Sequence, residues 1–134
     1  MNLALVDRAI ALLNRWIPEM DRAGSGKPKL GRAEVVASCR SGRSTFSNTD
    51  LGGADLSGLR LIGADFRFAI LRDAKMVGTD LAGARFNEAQ LSGCDFTGAN
   101  LTGASLENAN TLRVGGDGRC VTLRGARLQR ANLL

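Results

Sequence analysis

The sequence predicts a solenoid of stacked short units, not a globule built around a cleft. Every fifth residue from Phe46 to Leu106 is large and apolar: Phe46, Leu51, Leu56, Leu61, Phe66, Leu71, Met76, Leu81, Phe86, Leu91, Phe96, Leu101 and Leu106. Small residues, mostly alanine, stand two positions before these centres, as at Ala54, Ala64, Ala74, Ala84 and Ala99, and glycine often closes the unit two positions after. A strict period this short means that neighbouring units share one continuous core, and it tells more about architecture than about a biological partner.

The totals agree with that reading. The 134 residues leave room for one domain and a short appendage, and 44% hydrophobic content is ordinary for a folded chain. No run of about 18 apolar residues exists, so no transmembrane helix is expected. Asp7, Arg8, Asn14 and Arg15 spoil the apolar core that a secretory signal requires. Cys39, Cys94 and Cys120 form no CxxC pair and the chain has no histidine, which excludes the usual zinc ligand sets. A reducing cytoplasm is the expected compartment. The net charge of +5 is unevenly spread: +4 over residues 1–45, −3 over 46–110 and +4 over 111–134. The repeat body is mildly acidic between two basic ends.

Taken in order, residues 1–20 read as an amphipathic helix. Leu3, Val6, Ile10, Leu13, Ile17 and Met20 recur at three-four spacing, and Leu5, Ala9, Leu12 and Trp16 add a second stripe beside them. Pro18 ends or kinks this helix near Ile17. Residues 21–33 are rich in Gly, Ser, Pro and Lys and read as a flexible linker. The stretch from Ala33 to Ser44 is expected to enter the repeats as an irregular coil or strand through Val35 and Val36. The repeat domain, 34–134, runs unbroken to a weak centre at Thr111 and resumes at Leu123, Leu128 and Leu133, with Ala126 and Ala131 in the small position. The gap of 12 from 111 to 123 fits a seven-residue insertion within 112–122, expected as a hairpin or loop around Gly115–Gly118.

The units ADLSG at 54–58, ADFRF at 64–68, CDFTG at 94–98, ANLTG at 99–103 and ANLL at 131–134 resemble the pentapeptide-repeat family. The resemblance implies a mainly β fold: a right-handed quadrilateral β-helix of about four coils, four pentapeptides to a coil, with the centre and the small residue both facing inward. Residues 20 apart then stack in columns about 4.8 Å apart. Phe46, Phe66, Phe86 and Leu106 form one interior column, with three phenylalanines stacked coil on coil. Outside, Asp55, Lys75 and Asp95 share a column, as do Asp65 with Arg85 and Arg60 with Asp80, so opposite charges oppose each other.

Those columns read first as cross-strand pairs worth a few tenths of a kcal/mol each. Some members of the family resembled bind DNA gyrase as duplex mimics and protect it from quinolones, so the resemblance also implies a topoisomerase-binding alternative. Lys75, Arg85, Arg60, Arg67 and Arg72 interrupt every acidic column, which argues against DNA mimicry. Catalysis is not expected either: no carboxylate pair is joined by a nucleophile in sequence, and neither His nor Tyr occurs. Cys94, in an inward small position, reads as a packed hydrophobe. GGDG at 115–118 lacks the lysine of a phosphate loop and reads as a turn. No cofactor or metal is implied.

What the repeat does not absorb points to protein contacts. Ile62, Phe68, Ile70 and Val77 are apolar at outward positions, and Leu59 is oversized for a small position. Either the N-terminal helix folds back over them or they form a docking patch for another protein. The helix itself, with Leu13, Trp16 and Ile17 on its stripes, either packs on the solenoid or enters self-association or a partner groove. Arg113 and Arg119 lead a basic cluster around the insertion; without interleaved aromatics, nucleic acid is not the expected partner. The chain stops in register at Leu133 and Leu134, and a bare strand edge there is expected either to pair end to end or to continue as part of a longer solenoid. The sequence therefore reads as a non-catalytic protein-interaction or scaffold module.

Overall fold

A computed structural model describes residues 26–111 and 121–133. The expected helix at 2–20, most of the insertion and Cys120 lie outside the described residues.

Each unit builds itself from local chemistry. The residue just before a centre is Asp or Asn in many units because its side chain accepts the backbone N–H two residues on. Asp50 takes that of Gly52 (2.9 Å), Asp55 that of Ser57 (3.1 Å), Asp95 that of Thr97 (2.9 Å) and Asn100 that of Thr102 (3.2 Å). The centre's carbonyl then accepts from the amide three residues later, as Leu61 does from Ala64 at 3.1 Å. This closes a turn whose third residue has positive φ, +71° at Gly58 and +64° at Gly78, where a Cβ would be strained. Every such turn swings the chain to the next side of the coil.

Four units complete one circuit, and the ladder is closed by parallel bridges between residues 20 apart. The four columns of bridges define four faces. Face 1 pairs Thr45, Asp65, Arg85 and Ser105; face 2 pairs Asp50, Ile70, Gln90 and Asn110; face 3 pairs Asp55, Lys75 and Asp95; face 4 pairs Arg60, Asp80 and Asn100. Beyond the insertion the offset becomes 27: Asp95 pairs with Thr122, Asn100 with Arg127 and Ser105 with Asn132. Seven extra residues are thus passed over without loss of register, and Thr122 is already back in the ladder.

All the centres from Phe46 to Leu106 are buried, together with the inward alanines from Ala54 to Ala104 and Cys94. The phenylalanine column stacks as expected: ring centroids lie 5.3 Å apart for Phe46–Phe66 and 5.1 Å for Phe66–Phe86, and Phe96 meets Phe86 edge-on at 5.6 Å. Thr79 takes a small inward position without an orphan hydroxyl, because its Oγ1 donates to the Leu56 carbonyl at 2.9 Å.

The N-terminal end departs from expectation. The linker predicted over 21–33 is already part of the ladder by Pro28: the Asp50 N–H donates to the Pro28 carbonyl (2.8 Å) and the Leu30 N–H to the Asp50 carbonyl (2.8 Å). The irregular coil or strand expected from Ala33 is instead helix α1, Arg32–Arg40. A segment at the end of a stack lacks a lower neighbour to pair with, so it satisfies its backbone within itself. Glu34 caps the start by accepting the Gly31 N–H at 2.8 Å, and Arg40 stands at the carbonyl end. α1 takes the place of two pentapeptides between Leu30 and Phe46, and its Val35 is fully buried in the common core. Arg32 completes the closure: its guanidinium donates to the carbonyls of Asp55 (3.0 Å) and Ser57 (2.9 Å), the lower edge of face 3.

Candidate functional site

The charged columns are where predicted, yet they are not ion pairs. The side-chain pairs within 4.0 Å among the described residues are Lys29–Asp50 at 3.8 Å and Arg67–Asp65 at 2.8 Å. Asp55 and Asp95 turn toward their own turn amides instead of toward Lys75, one coil away. Arg67 lies two residues along from Asp65 and grips it with two bonds, Nε to Oδ1 at 2.9 Å and Nη2 to Oδ2 at 2.8 Å.

These contacts hold three carboxyls below the usual carboxylate range. Hydrogen bonds from Ser57 lower Asp55, the Arg67 side chain lowers Asp65, and hydrogen bonds from Thr97 lower Asp95; nearby cations, Lys75 for both Asp55 and Asp95, add to this. A group whose folded pKa is depressed contributes stability above its unfolded value, about 3.9 for Asp, and loses it as pH falls through the folded value. The melting temperature is therefore expected to hold from neutral pH down to about pH 4 and to fall below it. Asp65→Asn should flatten that acid limb, as read from melting curves at stepped pH.

The predicted apolar docking residues do not gather into one patch. Phe68 (47% exposed) ends a unit of face 1, and Ile70, half-buried, follows it across the corner on face 2. Val77 (39%) belongs to face 3 and Ile62 (47%) to face 4. Leu59 is partly buried against the core at the start of the same face-4 unit as Ile62. The spacing by five placed each of these residues off the centres, but only the fourfold winding separates them. Leu13, Trp16, Ile17, Arg113 and Arg119 lie outside the described residues.

Two features were missed. One is the lower edge of face 4: among the described residues, no hydrogen bond reaches the Arg60 N–H and C=O or the Ile62 C=O, and the foot of face 1 at Thr45 and the Ser47 C=O is alike, whereas face 2 carries the Lys29 strand and face 3 the Arg32 cap. The other is the corner between faces 1 and 2. There the residues with positive φ are Asn48 (60°), Phe68 (61°), Glu88 (57°) and Asn108 (56°), while the corner after face 3 uses Gly58, Gly78, Gly98 and Gly125. A left-handed backbone costs a residue with a Cβ roughly 1–2 kcal/mol, and a bulky phenylalanine is an outlier there. Beside this corner the Asn87 Oδ1 and Gln90 Oε1 are enclosed without a donor. The sequence signal was available: glycine is absent from that position in four successive coils.

A half-open cavity of about 310 Å³ lies at the N-terminal end, lined by Pro28, Leu30, Ser38, Phe46 and Asn48 among others, with Arg43 its one charged lining residue. Among the described residues no three metal-ligating side chains cluster, and no helix is long and apolar enough to cross a membrane. Burial pushes the Cys94 thiol far up and Cys39 up as well, so neither is an activated thiolate.

The family model for pentapeptide repeats matches residues 43–78 and 74–110 with eight copies, spanning half of the chain. The chain belongs to the pentapeptide-repeat family. Members fold as right-handed quadrilateral β-helices, which is the fold class here. Among solved structures, a pentapeptide repeat protein (Rfr23) of the cyanobacterium Cyanothece 51142 is 30% identical, covering 64% of this chain and 60% of that one, with a TM-score of 0.47. QnrB1, a plasmid-mediated fluoroquinolone resistance protein, is 28% identical over 65% of this chain and 44% of its own, with a TM-score of 0.45. The pentapeptide repeat protein alr5209 of Nostoc PCC 7120 is 30% identical over 75% and 74%, with a TM-score of 0.40. This pentapeptide-repeat chain thus spans less than two thirds of the first two structures it matches. No curated protein sequence matches it.

Proposed function

We propose that the chain is a non-catalytic protein-binding module that presents fixed side-chain rows on a rigid stack, and that its main contact surface is the N-terminal half of face 4. The observation that carries this reading is the lower edge at Arg60 and Ile62, which no hydrogen bond reaches among the described residues, with the exposed Ile62 side chain on it. Ile62 is 47% exposed with the partly buried Leu59 in its own unit, and Val77, 39% exposed, stands on the neighbouring face 3 one coil on. An open strand edge offers main-chain hydrogen bonds and neighbouring side chains offer selectivity, the combination used in strand addition. The Arg113 and Arg119 region is a further contact element in this proposal. The proposed compartment is a reducing cytoplasm, in keeping with the free thiols of Cys39 and Cys94.

Capture on immobilised chain, with bound proteins identified by mass spectrometry, tests it. The double variant Ile62→Asp, Val77→Asp is expected to lose the specific partner while shifting stability by no more than about 0.5 kcal/mol per site, because both side chains stand at outward positions away from the buried core. Retention of every captured protein by that variant would defeat the proposal. Self-association is the second reading, through the last coil, where Leu123 and Leu128 are only partly buried and Leu133 is 54% exposed. Sedimentation across a wide concentration range distinguishes it: a dimer abolished by Leu133→Asp supports it. Gyrase supercoiling and its quinolone inhibition are expected to be unchanged by the purified chain, since each acidic column carries a cation in it.

A further inference from the structure

The corner between faces 1 and 2 combines features that the repeat does not require. Phe68 holds a large ring outward from a left-handed backbone and stays half exposed. Ile70 follows it in the ladder, and one coil on, the enclosed Asn87 Oδ1 and Gln90 Oε1 lack donors. The described chain also begins here: the Lys27 ammonium donates to the Phe68 carbonyl, and the Pro28 carbonyl accepts the Asp50 N–H on face 2. Whatever precedes Gly26 therefore starts within side-chain reach of Phe68.

We propose that the chain's own segment Leu3–Met20, which lies outside the described residues, lays its apolar stripe along this corner. Leu3, Val6, Ile10, Leu13 and Ile17 recur at helical spacing. As a helix, Leu3 to Ile17 extends about 21 Å. The five successive ladder partners of face 2, Lys29, Asp50, Ile70, Gln90 and Asn110, rise about 19 Å at the usual strand spacing. The two lengths match. Residues 21–26 separate the segment from Lys27, and six residues reach about 20 Å when extended. With the chain anchored at Lys27, Leu13 and Ile17 fall nearest Phe68 and Ile70. So short a tether holds the segment at millimolar effective concentration, which favours it over a second copy at micromolar concentration. The cover does not depend on the protein-binding surface proposed on face 4.

Thiol labelling of the full chain tests this, with Cys39→Ala and Cys120→Ser and with Cys94 left in place because it is fully buried. Ile70→Cys reports on the corner and Val77→Cys on face 3. Adding Leu13→Asp with Ile17→Asp is expected to speed labelling at Ile70→Cys by about ten-fold or more and to leave Val77→Cys unchanged. Equal rates at Ile70→Cys in both backgrounds would overturn the proposal. So would protection that grows with protein concentration, which would assign the corner to a second copy. Should Ile70→Cys fail to fold, amide resonances of the chain without body substitutions give the same test: Leu13→Asp with Ile17→Asp shifts those of Phe68, Ile70 and Gln90 if the segment lies there. Unmoved resonances at these residues would contradict it.

Discussion

Phe86→Ala is expected to destabilise the solenoid by about 3–5 kcal/mol, seen as a lower denaturation midpoint with an unchanged slope. The ring is fully buried, lies 5.1 Å from Phe66 at an interplanar angle of 6°, and meets the edge of Phe96 at 5.6 Å. Truncation removes the transfer energy of the ring and leaves a cavity that the ladder cannot close. The Phe86 N–H is held to the Ser105 carbonyl at 2.6 Å, and the Leu91 N–H, on the next unit, to the Asn110 carbonyl at 2.7 Å, so the backbone is fixed on both sides. The same truncation at Leu133, which is half exposed, should cost far less.

Val35→Asp should be comparably severe, at about 3 kcal/mol or more, for a different reason. Val35 is fully buried at the base of the stack, so a carboxylate there is taken out of water. The loss should also be graded along the molecule. Stacked repeats stabilise one another by nearest-neighbour contacts, so removing the end piece exposes the coil it covers first. Amide exchange should accelerate most at Leu51, Leu56 and Leu61 and least at Leu101, where two intact coils intervene. Uniform acceleration would mean that α1 does not act as a cap.

The period of five made the core legible because an apolar centre has one place to go in a narrow coil. Phe46, Phe66 and Phe86 fell into one stack as the 20-residue reading required, and the seven-residue insertion appears as the change of bridge offset from 20 to 27. Side-chain direction outside the coil was less legible. Asp55 and Lys75 are ladder neighbours, but a turn amide two residues away is nearer and already fixed, so the carboxylate takes it. Helix α1 escaped because its signal is weak: one capping glutamate at Glu34 and two buried positions, Val35 and Ser38, against a valine pair that also suits a strand. The scattered apolar residues Ile62, Phe68 and Val77 formed a patch only on a flat reading of the chain; fourfold winding sends them to three faces. The corner of faces 1 and 2 was visible as four positions without glycine, but its meaning depends on where Lys27 lands.

Disulfide trapping across the insertion tests the winding itself. Bridge partners in a parallel ladder stand about 4.8 Å apart, inside the Cα separation of about 4.4–6.8 Å that a disulfide accepts. With Cys39 and Cys120 replaced by serine, Asn100→Cys with Arg127→Cys should oxidise to an intramolecular disulfide, while Asn100→Cys with Thr122→Cys, one face away, should stay reduced under the same mild oxidant. The opposite outcome would contradict a four-unit coil that resumes in register after seven extra residues.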